Sequence, residues 1–226
     1  MSIFEKIERW LHPYRYAFEE EEVKEFTTKK KRAKQNFKGK IKPKMSEQDE
    51  KAKKEFLSRG EIGIEIVTVS KQLNKTDALK TLDRSGYSIG YFHHDSDSHQ
   101  LAVKFNTNSG WLYHERNEGK RKKLQPLVYM KNKKLEDKTH MIPIGFHGSE
   151  NDERLLVGFH GKINKGSLKT LEEYVTNVNS KEPILWFVDI RRQADQTAIW
   201  NATVWDEEHN LIVDESFHDK SQFVWL

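Results

Sequence analysis

Cysteine is absent from the 226 residues. A disulfide framework is therefore excluded, and so is a metal centre built on thiolates. No stretch reaches the roughly 18 consecutive apolar residues of a membrane-spanning helix. The first residues carry neither the basic segment nor the apolar segment of a secretory signal, and Glu5, Glu8 and Arg9 interrupt any such run. The expected setting is a soluble protein, cytoplasmic or released without a recognisable signal peptide. No long internal repeat is present, although Gly-Phe-His-Gly occurs twice, at 145–148 and 158–161. The chain is polar overall, with 35% hydrophobic and 33% charged residues.

Against this polar background stand six Trp and twelve Phe, enough large apolar surface for one packed core. The length suits one sizeable domain with an appended segment. The net charge of +4, with a pI near 9.0, favours a polyanionic partner.

The appended segment is 1–59. Ile3, Phe4, Ile7, Trp10, Leu11 and Tyr14 recur at three- and four-residue steps, which predicts a helix over 1–22 capped by Ser2 and Glu5 and ended or kinked at Pro13. Such a helix docks on its own domain, on a sister subunit to form a homo-oligomer, or on a partner or membrane surface. Between 24 and 44, nine Lys and Arg32 face one acid, Glu25. A block of this kind is solvated and loosely ordered, and Lys29, Lys30, Lys31 and Arg32 are candidate contacts to nucleic acid. Residues 46–58 read as a short charged helix capped by Ser46.

From Gly60 the texture becomes that of a folded domain, 60–226. Ile62, Ile64 and Ile66 alternate with other residues as a strand does, and 74–82 reads as a helix. Tyr87–Phe92 and Leu101–Phe105 read as strands about a polar turn at 95–98. That turn region holds His93, His94, Asp95, Asp97 and His99, which tempts a metal reading, but nothing in the sequence sets these side chains on one face. Near the end, Ile184–Ile190, Thr197–Trp205 and Leu211–Val213 read as an antiparallel meander. Trp186, Trp200 and Trp205 are expected in the core. Arg191 and Arg192 either border a phosphate track or are solvated.

The stretch 135–178 carries the chemistry. Met141–Ile144 reads as a short apolar strand, 145–153 as a polar loop, and Leu155–Phe159 as a second strand. A helix follows, with Leu168, Leu171, Val175 and Val178 in an apolar stripe. Asp137, Lys138 and His140 then precede the first strand, and Asn164 stands where the second hands over to the helix. An imidazole, a hard oxygen donor and a helix start are the parts of a phosphodiester-hydrolysing site. Histidine takes a proton from water, and a carboxamide oxygen holds Mg²⁺ with waters filling the remaining positions.

Asp137-Lys138-Thr139-His140 resembles the Asp-Arg-Gly-His signature of the DNA/RNA non-specific endonucleases, a ββα-metal family that includes the sugar-non-specific and the DNA-entry nucleases. The run from Ile163 to Glu172 resembles the start of that family's helix, in its Asn, its Gly two residues later and its Glu eight residues later. The resemblance covers roughly 135–205. It implies His140 as general base, Asn164 as the one protein ligand of a single Mg²⁺, and Glu172 as a carboxylate near the metal-bound waters. Eight helical residues span about 12 Å, so Glu172 suits a coordinated water better than shared ligation. Glu173 points roughly opposite, and His160 is a further ligand candidate. Three positions depart from the family pattern. Lys138 replaces an Arg and offers a point charge in place of a fork. Thr139 replaces a Gly. Thr176 stands where the family has a second basic residue.

The expectation is an α+β fold, with a central antiparallel sheet, a ββα-metal motif against it and a basic helical N-terminal extension. The expected function is a Mg²⁺-dependent endonuclease acting on DNA, RNA or both, with Asp137, Lys138, His140 and Glu172 catalytic and Asn164 on the metal. The alternatives are a nuclease-like module that binds nucleic acid with weakened or no cutting, and an assembly protein that oligomerises through its first helix.

Overall fold

A computed structural model of the chain describes residues 51, 63–110, 118–147 and 152–226. The helix expected over 1–22, the basic block with Lys29, Lys30, Lys31 and Arg32, and all but Lys51 of the helix expected over 46–58 lie outside the described residues.

The elements in chain order are β1 (Glu65–Thr68), α1 (Lys75–Asp83), β2 (Ile89–His94), β3 (Ser98–Phe105), α2 (Glu118–Lys123), β4 (Val128–Met130), β5 (Glu136–His140), α3 (Ile144–His147), a 3₁₀ turn (Glu153–Leu155) and β6 (Leu156–His160). A helical run follows in three parts, an α turn at Gly161–Ile163, a π turn at Asn164–Leu168 and α4 (Lys169–Asn179). Then come β7 (Ile184–Arg192), β8 (Ala198–Trp205), β9 (Leu211–Asp219) and β10 (Phe223–Trp225). The class is α+β, as expected, but the single antiparallel sheet is corrected. The strands form a six-stranded sheet in the order β1-β2-β3-β7-β8-β9 and a four-stranded sheet in the order β10-β4-β6-β5. Each contains a parallel pair, β1 with β2 and β4 with β6.

The middle of the six-stranded sheet is buried on both faces, which explains the nearly unbroken apolar run of β7. On β7, Ile184, Trp186, Val188 and Ile190 join the larger core, while Leu185 and Phe187 face the other way, toward Ala78 and Leu82 of α1. Asn74 caps α1 by accepting from the Asp77 amide. The larger core lies between the two sheets, where Phe159 of β6 meets Trp200 of β8 edge to face at 5.5 Å and Phe146 meets Trp186 at 5.6 Å. Leu168, Leu171 and Val175 of the final helical run pack into the same core. Trp186, Trp200 and Trp205 are all buried, as their sequence setting predicts.

Two boundaries differ. The strand expected to begin at Ile62 begins at Glu65. The strand expected at Met141–Ile144 lies earlier, at Glu136–His140, and Ile144–His147 is a short helix. The polar residues of the signature therefore form the strand themselves. Pairing with β6 in regular register, Glu136 opposite His160 through His140 opposite Leu156, supplies what their side chains do not.

Candidate functional site

The antiparallel pair β5–β6 runs directly into the three-part helical run, and this turn of the chain builds a polar corner. His160 caps the run, its Nδ1 accepting from the Lys162 amide at 3.1 Å. The His160 amide donates to the buried Asp219 carboxylate at 2.8 Å, which ties the corner to the end of β9. Asp137 lies over Gly161, where a Cβ would meet Oδ2 at 2.8 Å, so no larger residue fits there without displacing the carboxylate. Asp137 Oδ2 pairs with Lys165 Nζ at 2.7 Å and accepts a long contact from Asn164 Nδ2 at 3.5 Å. Asn164 opens the π turn, an insertion frequent at functional sites. A Cβ added at Gly166 would meet nothing within 4 Å, so the run is open to solvent at that point.

The structure thus brings Asp137, Asn164 and Lys165 together. His140 stands three residues beyond Asp137 on the same regular strand. Residues three apart on a strand point to opposite faces, and the intervening strand is about 10 Å long at roughly 3.4 Å per residue. His140 is buried, and its ring lies 5.1 Å from that of His147 of α3. By the same alternation Lys138 shares the face of His140. Lys138 Nζ donates to the carbonyls of Arg121 at 3.0 Å and Lys122 at 2.8 Å, and to that of Leu124, closing the C-terminal end of α2. Its proton affinity is lowered, first by burial and then, after an opposing effect of Glu136, by the nearby charges of Lys133 and Arg121.

Glu172 lies in the first turn of α4, half-buried beside the apolar stripe, and its carbonyl accepts from Thr176 at 2.7 Å. Glu173 is exposed and makes a 3.7 Å pair with Lys169. Arg191 and Arg192 point to opposite faces of β7. Arg191 donates to Asp189 at 2.8 Å, and Asp189 also accepts from Gln100 at 2.9 Å. Arg192 bonds Gln196, and both arginines line an open depression with Asp97, Gln193 and Ala194.

The histidines at the β2–β3 hairpin are engaged with protein groups. His93 bonds Val69 O and Asp95 Oδ2, both at 2.9 Å, and Asp95 also accepts from the amides of Asp97 and Ser98 in the turn expected there. His94 and His99 meet through their Nδ1 atoms at 3.0 Å. Among the described residues, no three His, Cys, Asp or Glu side chains are grouped to hold a metal. Asp219 escaped sequence reasoning, since an isolated Asp near a chain end carries no signal of burial. So did a basic run, seven Lys and Arg without an acid from Lys120 to Lys134, which a count of charge along the chain would have found.

No family model matches the chain, and no curated protein or solved structure matches it.

Proposed function

We propose that the chain is a Mg²⁺-dependent endonuclease that hydrolyses DNA or RNA phosphodiesters at the β5–β6–helix unit. The observation that carries this reading is the polar corner where that unit turns, with Asp137, Asn164 and Lys165 in contact at the start of the helical run. One carboxylate and one carboxamide are hard donors of the kind Mg²⁺ takes alongside water. With the Asn164 amide nitrogen turned to Asp137, its oxygen stands outside that contact. Asn164 would hold the ion, with Asp137 alongside, and Mg²⁺ when bound would supply Lewis-acid polarisation of the phosphate and stabilisation of the leaving oxygen. Lys165 would exchange its partner Asp137 for a substrate phosphate. In this reading His140 would be the proton acceptor and Glu172 the carboxylate that orients water, roles that require the His140 ring to leave its place beside His147 and reach the corner from the other face of β5.

A second reading, a nucleic-acid-binding module that does not cut, is favoured by the face that His140 occupies. The strand alternation turns it away from Asp137 and toward His147, and Lys138 is occupied with the carbonyls that end α2. Incubating the full chain with plasmid and total RNA, in Mg²⁺ and in chelator, separates the two. Cleavage that requires Mg²⁺ supports the enzyme. Retention of nucleic acid without cleavage at any Mg²⁺ concentration supports the module and sinks the enzyme.

A further inference from the structure

Helix α2 ends in Lys120, Arg121, Lys122 and Lys123, and the turn between β4 and β5 carries Lys131, Lys133 and Lys134. Lys138 joins the two. Its ammonium sits on the last carbonyls of α2, while Glu136, two residues earlier on the same face of β5, pairs with Lys133 of the turn at 3.0 Å. The helix end and the turn therefore flank one strand and form one surface. Lys122, Lys123, Lys131 and Lys134 are exposed on it.

The ordinary explanation for basic residues at a helix end is the helix dipole, which cations in the last turn complement. That explanation covers α2 but not the turn. Three lysines within four residues at 131–134 sit at no helix end. The acids beside it along the chain are Glu118, which opens α2, and Glu136, which opens β5. From Lys120 to Lys134 there is no acid, and the nearby Glu136 carboxylate is only 6% exposed and already paired with Lys133 at 3.0 Å. Asp137 belongs to the opposite face, against Lys165. A folded protein that gathers like charges in this way carries a repulsion that a polyanion relieves. Lys133 Nζ also lies 3.7 Å from the Tyr129 ring centroid, which holds that ammonium in place.

We infer that α2 and the β4–β5 turn form a docking surface for the phosphate backbone of a nucleic acid. The inference rests on the nucleic-acid reading above and adds to it a track for the substrate. β5 is an edge strand with β6 as its one neighbour among the described residues. A strand of nucleic acid held on the lysines of one face needs only to pass round that edge to reach Asp137 and Asn164. A phosphate ladder matches lysines spread over a helix end and a turn, because each contact is a point charge and needs no shared geometry.

The test uses the full chain and a variant with Lys122, Lys123, Lys131 and Lys134 all changed to Gln. A control variant carries Gln at the exposed Lys71, Lys80, Lys181 and Lys220, which removes the same net charge. Binding to a labelled duplex and a single strand is measured from low to high salt, with circular dichroism confirming that each variant is folded. Each phosphate contact contributes about 0.9 to the slope of log affinity against log salt on duplex. The surface variant should lose at least about 2 of slope and bind at least about tenfold more weakly near 0.1 M salt, while the control stays close to wild type. Equal losses in the two variants would reduce the effect to net charge and overturn the inference. Unchanged binding by the surface variant overturns it while leaving the nucleic-acid reading intact. No binding by wild type at low salt overturns both. Wild type that prefers phosphatidylserine vesicles to either oligonucleotide makes the surface a membrane patch and overturns it as well.

Discussion

His94 and His99 face each other across the β2–β3 hairpin, Nδ1 to Nδ1 at 3.0 Å, while their Nε2 atoms lie 2.7 Å from Leu226 O and 3.0 Å from Arg154 O. Fully buried, the His99 ring takes up a second proton only at a cost in lost hydration. Burial first, then the neighbouring His94, push His99 down to about 3. An unfolded chain would take up that proton near pH 6.5. Because the folded value is the lower one, His99 stabilises the fold above pH 6.5, and this contribution is lost progressively as the pH falls toward 3. Denaturation followed from pH 7 to pH 4 should show a slope of up to about 1.4 kcal/mol per pH unit from this one group. His99→Phe should flatten it. A wild-type stability that does not change over that range would refute the assignment.

Lys138 holds the end of α2 by three carbonyls. Lys138→Met keeps most of the stem and removes the ammonium. It should cost about 1.5–3 kcal/mol, the range for hydrogen bonds to a charged group, read as a shift of the urea midpoint. If stability is unchanged and only nucleic-acid affinity falls, the residue acts on substrate and not on the helix.

Lys165 and Asn164 both lean on Asp137. Lys165→Ala removes the competing cation and should tighten Mg²⁺ binding by the protein alone, measured calorimetrically. Asp137→Asn should weaken it. Asn164→Ala should abolish cleavage at low Mg²⁺, with partial recovery as Mg²⁺ is raised. Mg²⁺ binding that ignores all three substitutions would move the metal elsewhere.

His140→Ala should lower cleavage at least about a hundredfold, the usual contribution of a general base. The ring is buried beside His147, so the variant also needs a melting curve. Wild-type cleavage by a folded His140→Ala protein would exclude His140 as the base and leave it as a packing residue.

Periodicity carried much of the architecture. The stripe Leu168, Leu171, Val175 marks the last helix, where the core faces one regular repeat, and the apolar content of Ile184–Ile190 and Thr197–Trp205 with the polar turns after them marks the meander. Asn164 at the junction of strand and helix was legible for the same reason. The strand Glu136–His140 was not, since Glu136, Asp137 and Lys138 are of types depleted from strands and are extended here by pairing with β6. Nor did local pattern reveal two sheets in place of one, or the parallel pairings of β1 with β2 and β4 with β6, which join segments whose apolar runs look alike in either direction.

Residue types and spacing by themselves determined which groups are available near the corner: a carboxylate, a carboxamide, two lysines and a histidine. Only the tertiary structure decided which of them meet. The pleat sends Asp137 to Asn164 and Lys165, and His140 to His147, while the end of α2 captures Lys138. A short motif read along the chain specifies order but not side. The face on which each side chain emerges depends on where the strand begins its pairing, and that register is set by partners distant in sequence.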